Sequence, residues 1–303
     1  MDVLANVMRT TQVQGVILSV SRHAAGWGFR MGKSDYVGFH FVVDGDAVLR
    51  VGGGKPQRLQ QGDLVLVPGG AAHSVAHGAD AALVELGEMI ADQQRRPVAP
   101  SRVVTTLVCG AFKCEGGPSP LFALLPPVLH VTAADIRRTP SLDATLRLLL
   151  DEMDGARAGG EVLADRLVDA LLIYVLRWWV ERKAEGSAGW LGALTDPAVG
   201  SVIARVHLEP TRRWTVEELG AEAGMSRAVF ARRFTQLVGM PPLAYLTRWR
   251  IELARRRLRD GAASVAEIAA AVGYDSEFSF SRAFKREVGV PPSAYRQRHA
   301  PAA

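Results

Sequence analysis

The chain contains the same helical unit twice between Trp214 and Tyr295. The first copy is TVEELGAEAGMSRAVFARRFTQLVGMPPLAY and the second is SVAEIAAAVGYDSEFSFSRAFKREVGVPPSAY. Corresponding residues are 49 positions apart up to the turn glycine, Gly224 or Gly273, and 50 positions apart from Phe230 onward. A one-residue insertion just after a turn preserves the helices on both sides, so the pattern predicts one structural unit in two copies.

Each copy predicts a helix-turn-helix. A hydroxyl residue with a glutamate three positions later begins the first helix, which is the capping-box pattern. These pairs are Thr215 with Glu218 and Ser264 with Glu267. After the glycine turn, Ser226 and Asp275 are the predicted caps of the second helix, which ends before a glycine and a Pro-Pro pair. In units of this kind the second helix enters the major groove of DNA.

Positive charge is concentrated in the same part of the chain. From Arg205 onward there are 17 lysines and arginines against 10 acidic residues, whereas the preceding residues hold 19 against 21. This asymmetry predicts a polyanionic partner for the C-terminal third alone. The 303 residues, 48% of them hydrophobic, suffice for two domains with separate cores. With two cysteines and no apolar run of about 18 residues, we expect a soluble cytoplasmic protein without membrane contact.

The N-terminal part, to about residue 131, predicts a β-rich domain. Short apolar runs separated by Gly, Asp and Pro are typical of a sandwich or barrel. They are GVILSVSR, VGFHFVVDG, AVLRVGG, QRLQQGDLVLVPGG and DAALVELGE, with one or two more strands in 103–131. The spacing of Gly62, Pro68, Gly70 and His73 resembles the second motif of the cupin family, which implies a small jelly-roll barrel with a binding interior. The first cupin motif is incomplete, because Val42 stands where a second histidine is usual.

Two helices are predicted after the barrel, at about 141–155 and 161–184, from apolar residues at three- and four-residue spacing. The second is apolar on nearly all sides. We expect it to be buried against the barrel, to form a dimer interface, or both. Gly, Ser and Pro then mark a linker at 186–195. We therefore predict a sensor and dimerisation domain over 1–185 and a DNA-binding domain over 196–303.

One long helix is predicted between the two copies, in PPLAYLTRWRIELARRRLRDG, and would hold them rigidly apart. Several of its arginines are expected to serve solubility, and one or two to touch phosphate. The arginines of this helix are Arg248, Arg250, Arg255, Arg256, Arg257 and Arg259. Ahead of the first copy, Asp196-Pro197 begins a further helix.

The C-terminal hundred residues resemble the DNA-binding domain of AraC/XylS-type transcriptional regulators. The motifs are WTVEELGAEAGMS, FARRFTQLVGMPPLAYL and AEIAAAVGYDSEFSFSRAFKREVGVPPSAYR. With a cupin-like domain ahead of them, the chain resembles the cupin-sensor branch of that family over nearly its whole length. The resemblance implies two recognition helices that enter successive major grooves on one DNA face, about 34 Å apart.

The resemblance also assigns DNA-facing residues. Arg232 and Arg282 are expected to contact guanines. Arg233 and Lys285 are expected to meet phosphates or solvent. A bulky or polar residue at the position of Ala228 would contact bases more extensively. Specificity in the first half-site is therefore expected to depend mainly on Arg232. The predicted DNA-binding residues are Ser226, Arg227, Ala228, Arg232, Arg233, Ser276, Glu277, Phe278, Arg282 and Lys285. Because the two sets differ, an asymmetric DNA site is predicted.

A metal site is predicted in the barrel. The cupin resemblance places His40 and His73 inside, and Cys109 and Cys114 could join them from an adjoining strand or loop. Two imidazoles and two thiolates would complete a tetrahedral zinc site. His77 is an alternative ligand to His40. The cysteine pair is otherwise a redox switch or inert, and these alternatives stay open.

Together these patterns predict an α+β chain of two domains. The first is a cupin-like β-barrel (jelly roll) with a helical hairpin, and the second is all-α with two helix-turn-helix units. The predicted function is a sequence-specific DNA-binding transcription regulator, not an enzyme, whose barrel senses a small effector, metal or oxidant. Expected partners are double-stranded DNA, that effector, RNA polymerase and a second copy of the chain. The alternatives are a constitutive DNA-binding protein with a structural barrel and a metal-dependent cupin enzyme.

Overall fold

The computed structural model describes residues 2–114, 122, 125–155, 157–182, 193–261 and 263–299. These residues form two compact units, one rich in strands and one helical. Most of the predicted linker at 186–195 lies outside the described residues. The domain boundaries given above therefore stay a prediction.

The strand-rich unit contains two five-stranded sheets. The first has the spatial order β1 (Val13–His23), β9 (Thr105–Cys114), β3 (Tyr36–Asp44), β6 (Leu64–Val67) and β10 (Leu129–Val131). The second has the order β5 (Gln57–Gln60), β4 (Asp46–Val51), β7 (His73–Ala76), β2 (Gly28–Met31) and β8 (Val84–Glu85). All pairs are antiparallel except β2 with β8. The two sheets do not close into a single barrel, but the arrangement is consistent with the predicted jelly roll.

The core of this unit combines residues of both sheets. Leu107 and Cys109 of β9 belong to the same buried cluster as Phe29 and Leu49 of the second sheet. Because side chains alternate along a strand, the residues between them point to the other face of the first sheet. That face is covered too, since Val108 is also buried.

Among the described residues, the strand-rich unit also contains the α-helices α2 (Leu86–Arg95), α3 (Ala133–Arg138), α4 (Pro140–Asp154) and most of α5 (Gly160–Arg182). Helix α5 lies against β1, where Asp169 accepts a 2.6 Å hydrogen bond from the Gly15 amide and Val168 leaves no room for a β-carbon on Gly15. The burial predicted for this helix is therefore supported, and its role in a dimer stays a prediction. The strand predicted in DAALVELGE was mostly wrong, because Leu86 and Met89 are buried at helical spacing in α2.

The helical unit contains α1 (Val3–Thr11), α6 (Pro197–Leu208), α7 (Val216–Glu222), α8 (Arg227–Val238), α9 (Pro242–Asp260), α10 (Val265–Ala271), α11 (Glu277–Val288) and α12 (Pro292–His299). Helix α1 was not predicted, since these residues had been assigned to the β-rich domain. Asp2 caps it by accepting from the Ala5 amide, and its buried residues Val3 and Val7 lie one helical turn apart. It packs on α6 and α9.

Both helix-turn-helix units have the predicted local structure. The capping boxes of α7 and α10 are complete on both sides. The turn residues Gly224 and Gly273 have φ of 65° and 87°, which a residue with a side chain rarely adopts. One predicted cap was wrong: Ser276, not Asp275, caps α11 by accepting from the Ser279 amide. The inserted residue therefore lies in the turn, and the caps Ser226 and Ser276 are equivalent.

Candidate DNA-recognition helices and sensor interior

The recognition helices α8 and α11 are held by matching aromatic clusters. In the first copy Phe234 contacts Phe230 and, edge to face, Tyr245, with ring centroids 5.5 and 5.8 Å apart. In the second copy the rings of Phe280, Phe284 and Tyr295 repeat this arrangement at 5.6 and 5.4 Å. All six side chains are buried. The repeated aromatic residues thus form the buried face of each recognition helix, and the opposite, exposed face is available to a partner.

The two tyrosines have different hydrogen-bond partners. His207 of α6 lies 2.8 Å from the Tyr245 hydroxyl and stacks on Trp249 at 3.9 Å. Burial lowers the pKa of His207 to about 3, so this ring is neutral. The Tyr295 hydroxyl instead accepts from Arg255 at 3.2 Å and Arg259 at 3.3 Å. Two buried arginines therefore anchor the tyrosine of the second copy.

The buried charge of α9 is paired within the same helix. Glu252 accepts a 2.7 Å bond from Arg255, and both side chains are buried. Burial disfavours the charged guanidinium, but Glu252 and Tyr295 outweigh it and hold the pKa of Arg255 above its ordinary value. Arg255 and Arg259 are therefore not among the α9 arginines that serve solubility, because both are buried. An acid three residues before an arginine on one helix was the available signal.

Other contacts join the first copy to the second. Arg250 of α9 donates to the backbone carbonyls of Pro210 and Arg212, at 2.7 and 2.9 Å. Arg213 forms an ion pair with Asp275 in the turn of the second copy. The Arg250 bonds connect the segment ahead of α7 with the long helix α9, and the exposed Arg213–Asp275 pair connects that segment with the second helix-turn-helix.

The structure exposes the residues predicted to face DNA on both helices. On the first helix these are Ser226, Arg227, Ala228, Arg232 and Arg233, and on the second Ser276, Glu277, Phe278, Arg282 and Lys285. Arg227 pairs with Glu217 of α7 at 3.1 Å, with both side chains largely exposed. Direct contact with DNA stays a prediction for each of these residues.

Arg233 differs from the other predicted contacts. Its guanidinium binds Asp196, the N-cap of α6, through two hydrogen bonds of 2.5 and 3.0 Å. The equivalent residue of the second copy, Ala283, is buried. The second-copy position is thus packed against the protein, whereas Arg233 is exposed with its guanidinium bound to Asp196, and its contact with a DNA phosphate stays a prediction.

In the strand-rich unit, three of the four predicted metal ligands lie together. His40 of β3 is opposite Cys109 of β9, with Nδ1 3.1 Å from the sulfur. Its Nε2 is 2.9 Å from Nε2 of His73, whose Nδ1 lies 2.8 Å from the Ala71 carbonyl. All three side chains are buried.

These contacts determine where the hydrogens lie. Burial, with a smaller contribution from His73, lowers the pKa of His40 to about 3, and burial also lowers that of His73. Both rings are thus neutral. Because a carbonyl only accepts, His73 must donate from Nδ1 to Ala71, which leaves its Nε2 as the acceptor for His40. Nδ1 of His40 then accepts from the thiol of Cys109, whose pKa burial raises to about 12.

The predicted four-ligand zinc site is not assembled. Cys114 lies five residues after Cys109 on β9 and therefore points to the opposite face of the sheet. Each ring nitrogen of His40 faces a different neighbour, so the cluster does not converge on one point. Within the described ranges, no group of three or more His, Cys, Asp or Glu side chains is placed to hold a metal ion. Zinc binding stays a prediction that this geometry does not support.

The structure also bears on the other roles considered for the two cysteines and for His77. Both cysteines are buried, and the protonated thiol of Cys109 is a poor nucleophile, which does not favour a redox switch. His77 follows the end of β7, whereas His73 begins it, so the two histidines lie at opposite ends of this strand.

An open cleft of about 620 Å³ lies beside the cupin-like sheets, against α2. Its lining includes the stacked rings of His23 and Trp27, 4.1 Å apart, together with Arg95 and Arg96. Clefts of this size are typical of small-molecule sites. No signal in the sequence identified this feature, because α2 was not predicted.

Comparisons with known proteins agree with this architecture. A family model described as Cupin matches residues 2–181, and one described as Helix-turn-helix domain matches residues 219–298. A solved DNA-binding domain of the transcriptional factor AdpA, in complex with a target DNA, is 36% identical and covers 33% of this chain and 89% of its own, with a TM-score of 0.32. No helix among the described residues is both long and apolar enough for a membrane crossing.

Relatives match over nearly the full length. A protein of Streptomyces antibioticus described as an AraC-like transcription regulator is 36% identical over 99% of this chain and 100% of its own. The HTH-type transcriptional regulator AlkR of Acinetobacter baylyi is 31% identical over 90% and 91%. The RCS-specific transcriptional activator RclR of Escherichia coli is 28% identical over 98% of both. With its cupin domain and two helix-turn-helix units, the chain belongs to the AraC-like family of transcription regulators.

Proposed function

We propose that the chain regulates transcription by binding an asymmetric, specific site in double-stranded DNA through α8 and α11, under the control of a small effector of its cupin domain. One observation supports this most directly: the same aromatic frame presents different exposed residues in the two copies. Ala228 and Arg232 of α8 stand where α11 has Phe278 and Arg282. Two helices with unlike exposed residues suit two unlike half-sites.

Charge supports the same proposal. The exposed face of each recognition helix carries a guanidinium one helical turn into the helix, at Arg232 and Arg282. A guanidinium can bind guanine O6 and N7 together in the major groove. Several arginines elsewhere in the unit, such as Arg233 and Arg255, are engaged within the protein. Few arginines among the described residues of the helical unit therefore remain available for base-specific contacts with DNA.

The test is DNA selection with the full-length chain from a random duplex pool, followed by affinity measurements on the selected site. We expect log K to fall linearly with log salt concentration, because bound phosphates release counterions. Arg232→Ala should relax the preference at one base pair in one half-site, at a cost of about 1–3 kcal/mol of discrimination. Arg282→Ala should do so in the other half.

Arg257→Ala is the matched control. This arginine is exposed on α9, outside both recognition helices. Its replacement should leave the base preference unchanged. Equal affinity of the wild-type chain for selected and scrambled duplexes would refute sequence-specific regulation.

Effector control rests on the cupin domain and on the cleft at Trp27. We would screen a library of small metabolites for compounds that raise the thermal midpoint of the full chain, and repeat each positive with Trp27→Ala. A compound that loses its effect in this variant, and that changes the affinity of the wild-type chain for DNA, would identify the site. If no stabilising compound altered DNA affinity, the constitutive alternative would be favoured.

RNA polymerase and a second copy of the chain are the other proposed partners. An enzyme activity in the cupin domain is not favoured, because the relatives described above are transcription regulators. Sedimentation of the chain with and without its selected DNA would test self-association.

A further inference from the structure

The second recognition helix carries an aromatic side chain that the fold does not use. Phe278 lies in the first turn of α11 and is 71% exposed. Its neighbours Phe280 and Phe284 are fully buried and supply the aromatic core of the unit. Exposure of a phenyl ring to water is unfavourable, but exposure alone does not identify a partner. The position of the ring on α11 identifies the partner.

Phe278 shares one face of α11 with two cationic residues. Phe278, Arg282 and Lys285 follow one another at spacings of four and three, so their side chains lie in a row. The Cζ atom of Arg282 is 5.7 Å from the centre of the Phe278 ring, within the range of a cation–π contact. The ring therefore restrains the guanidinium next to itself. Base edges are contacted from the N-terminal part of a recognition helix, which is where this pair lies.

The chemistry of the pair limits what it can recognise. A phenyl ring neither donates nor accepts a conventional hydrogen bond, and the apolar group that base pairs offer in the major groove is the C5-methyl of thymine. An arginine selects the O6 and N7 atoms of guanine. Because the Arg282 guanidinium lies beside the Phe278 ring, the two side chains are placed to contact neighbouring bases.

We propose that α11 recognises a thymine next to a guanine, with Phe278 against the thymine methyl and Arg282 on the guanine. This inference rests on the proposed sequence-specific binding and adds the base step recognised in one half-site. Ala228 occupies the equivalent position in α8 and presents a single methyl group. The first half-site should therefore depend much less on a pyrimidine methyl.

The experiment removes that methyl without changing base pairing. In the selected duplex, each thymine is replaced in turn by deoxyuridine, and the affinity of the full-length chain is measured at fixed salt concentration. We expect one replacement in the α11 half-site, next to a guanine, to weaken binding about threefold to fivefold, as for loss of one buried methyl. Cytosine at that position should weaken binding further, and 5-methylcytosine should recover part of the loss.

A variant identifies the protein group that senses the methyl. Phe278→Ala should bind thymine and deoxyuridine duplexes equally, whereas Phe278→Leu should keep part of the difference. Since Phe278 is exposed, neither variant should change the thermal midpoint. Val229→Ala, which shortens an exposed apolar side chain on α8, should keep the full methyl effect in the α11 half-site.

Two results would overturn the inference while leaving specific binding intact. One is a selected site in which no deoxyuridine replacement in the α11 half changes affinity. The other is a methyl effect that persists undiminished in Phe278→Ala. Absence of any base preference in the wild-type chain would instead overturn both this inference and the proposed function.

Discussion

Nε2 of His40 lies 2.9 Å from Nε2 of His73, and the contacts of the two rings assign the hydrogen between them to His40. The direction of this bond follows from the Ala71 carbonyl, which requires a hydrogen on the other nitrogen of His73. The interior of the cupin domain thus holds a neutral, directed series of donors that runs from Cys109 through both imidazoles to the backbone. A series of this kind is sensitive to loss of a single acceptor.

The acceptor role of His73 can be tested by substitution. His73→Phe keeps an aromatic ring but removes the acceptor, which leaves the His40 donor buried without a partner. We expect it to lower the free energy of unfolding by about 1–3 kcal/mol. His73→Gln offers a carbonyl oxygen and should cost less. Urea denaturation of the full chain measures both, and equal losses would contradict the assigned direction of the bond.

A chelator tests the zinc prediction. The neutral bonds among His40, His73 and Cys109 need no metal, so EDTA should leave the thermal midpoint unchanged. Cys114→Ser, on the other face of β9, should likewise not alter the response to added Zn²⁺. A lower midpoint after EDTA treatment, absent from Cys109→Ser, would restore a metal site in the cupin domain.

Acid should destabilise the helical unit through His207. Burial lowers the folded-state pKa of His207 to about 3, below its ordinary value of 6.5, so between these pH values the unfolded chain binds a proton that the folded chain does not. Stability is therefore present above about pH 6.5 and falls as the pH decreases toward 3. From pH 7 to 5 this histidine should account for a loss of about 2 kcal/mol.

The measurement compares wild type with His207→Gln at both pH values. The variant should lose less stability on acidification, because it has no imidazole to protonate. His77→Gln is the control, since this side chain is only partly buried. His23 and His40, whose pKa values burial lowers to about 4 and about 3, contribute in the same direction in the other unit. An unchanged pH dependence in His207→Gln would contradict the assignment.

The two anchoring tyrosines should differ in importance. Tyr295→Phe removes an acceptor shared by two buried arginines and should cost about 1–3 kcal/mol of unfolding free energy. Tyr245→Phe removes one bond to the neutral His207 and should cost about 0.5–1.5 kcal/mol. Denaturation of both variants provides a matched comparison. Equal costs would mean that buried charge does not distinguish the second copy from the first.

Arg233 should matter for stability rather than for base preference. Arg233→Ala breaks a half-exposed ion pair with Asp196, so we expect a cost of about 0–1 kcal/mol. Its base preference on the selected duplex should equal that of the wild-type chain, in contrast to Arg232→Ala. A change in preference at one base pair in Arg233→Ala would instead assign this residue a contact with a base.

Several features of the helical unit could be predicted from the sequence because their causes are local. A hydroxyl residue and a glutamate three positions later satisfy the first amides of a helix by themselves, and both predicted capping boxes are present. A glycine with positive φ and a following Pro-Pro pair end helices with little influence from distant residues. The error in these local signals, Asp275 as a cap, arose because two adjacent residues in a turn both had suitable oxygens.

Other errors came from contacts between residues far apart in the chain. The sequence did not reveal that Arg255 and Arg259 are buried, since that depends on Tyr295 lying over α9. Cys114 was grouped with Cys109 by proximity in sequence, but the alternation of β9 separates them. Helix α1 was missed because a nine-residue helix is stable only when it packs on others, here α6 and α9.

By itself, then, the sequence determined that two copies of one DNA-recognition unit follow a β-rich domain. Periodicity, caps and repeated aromatic positions are properties of short segments, and they can be recognised without knowledge of the fold. Only the tertiary structure decided which charged groups are available to a partner. Burial and pairing depend on distant residues brought together, so Arg233 was revealed as a partner of Asp196 and Phe278 as an exposed ring beside Arg282.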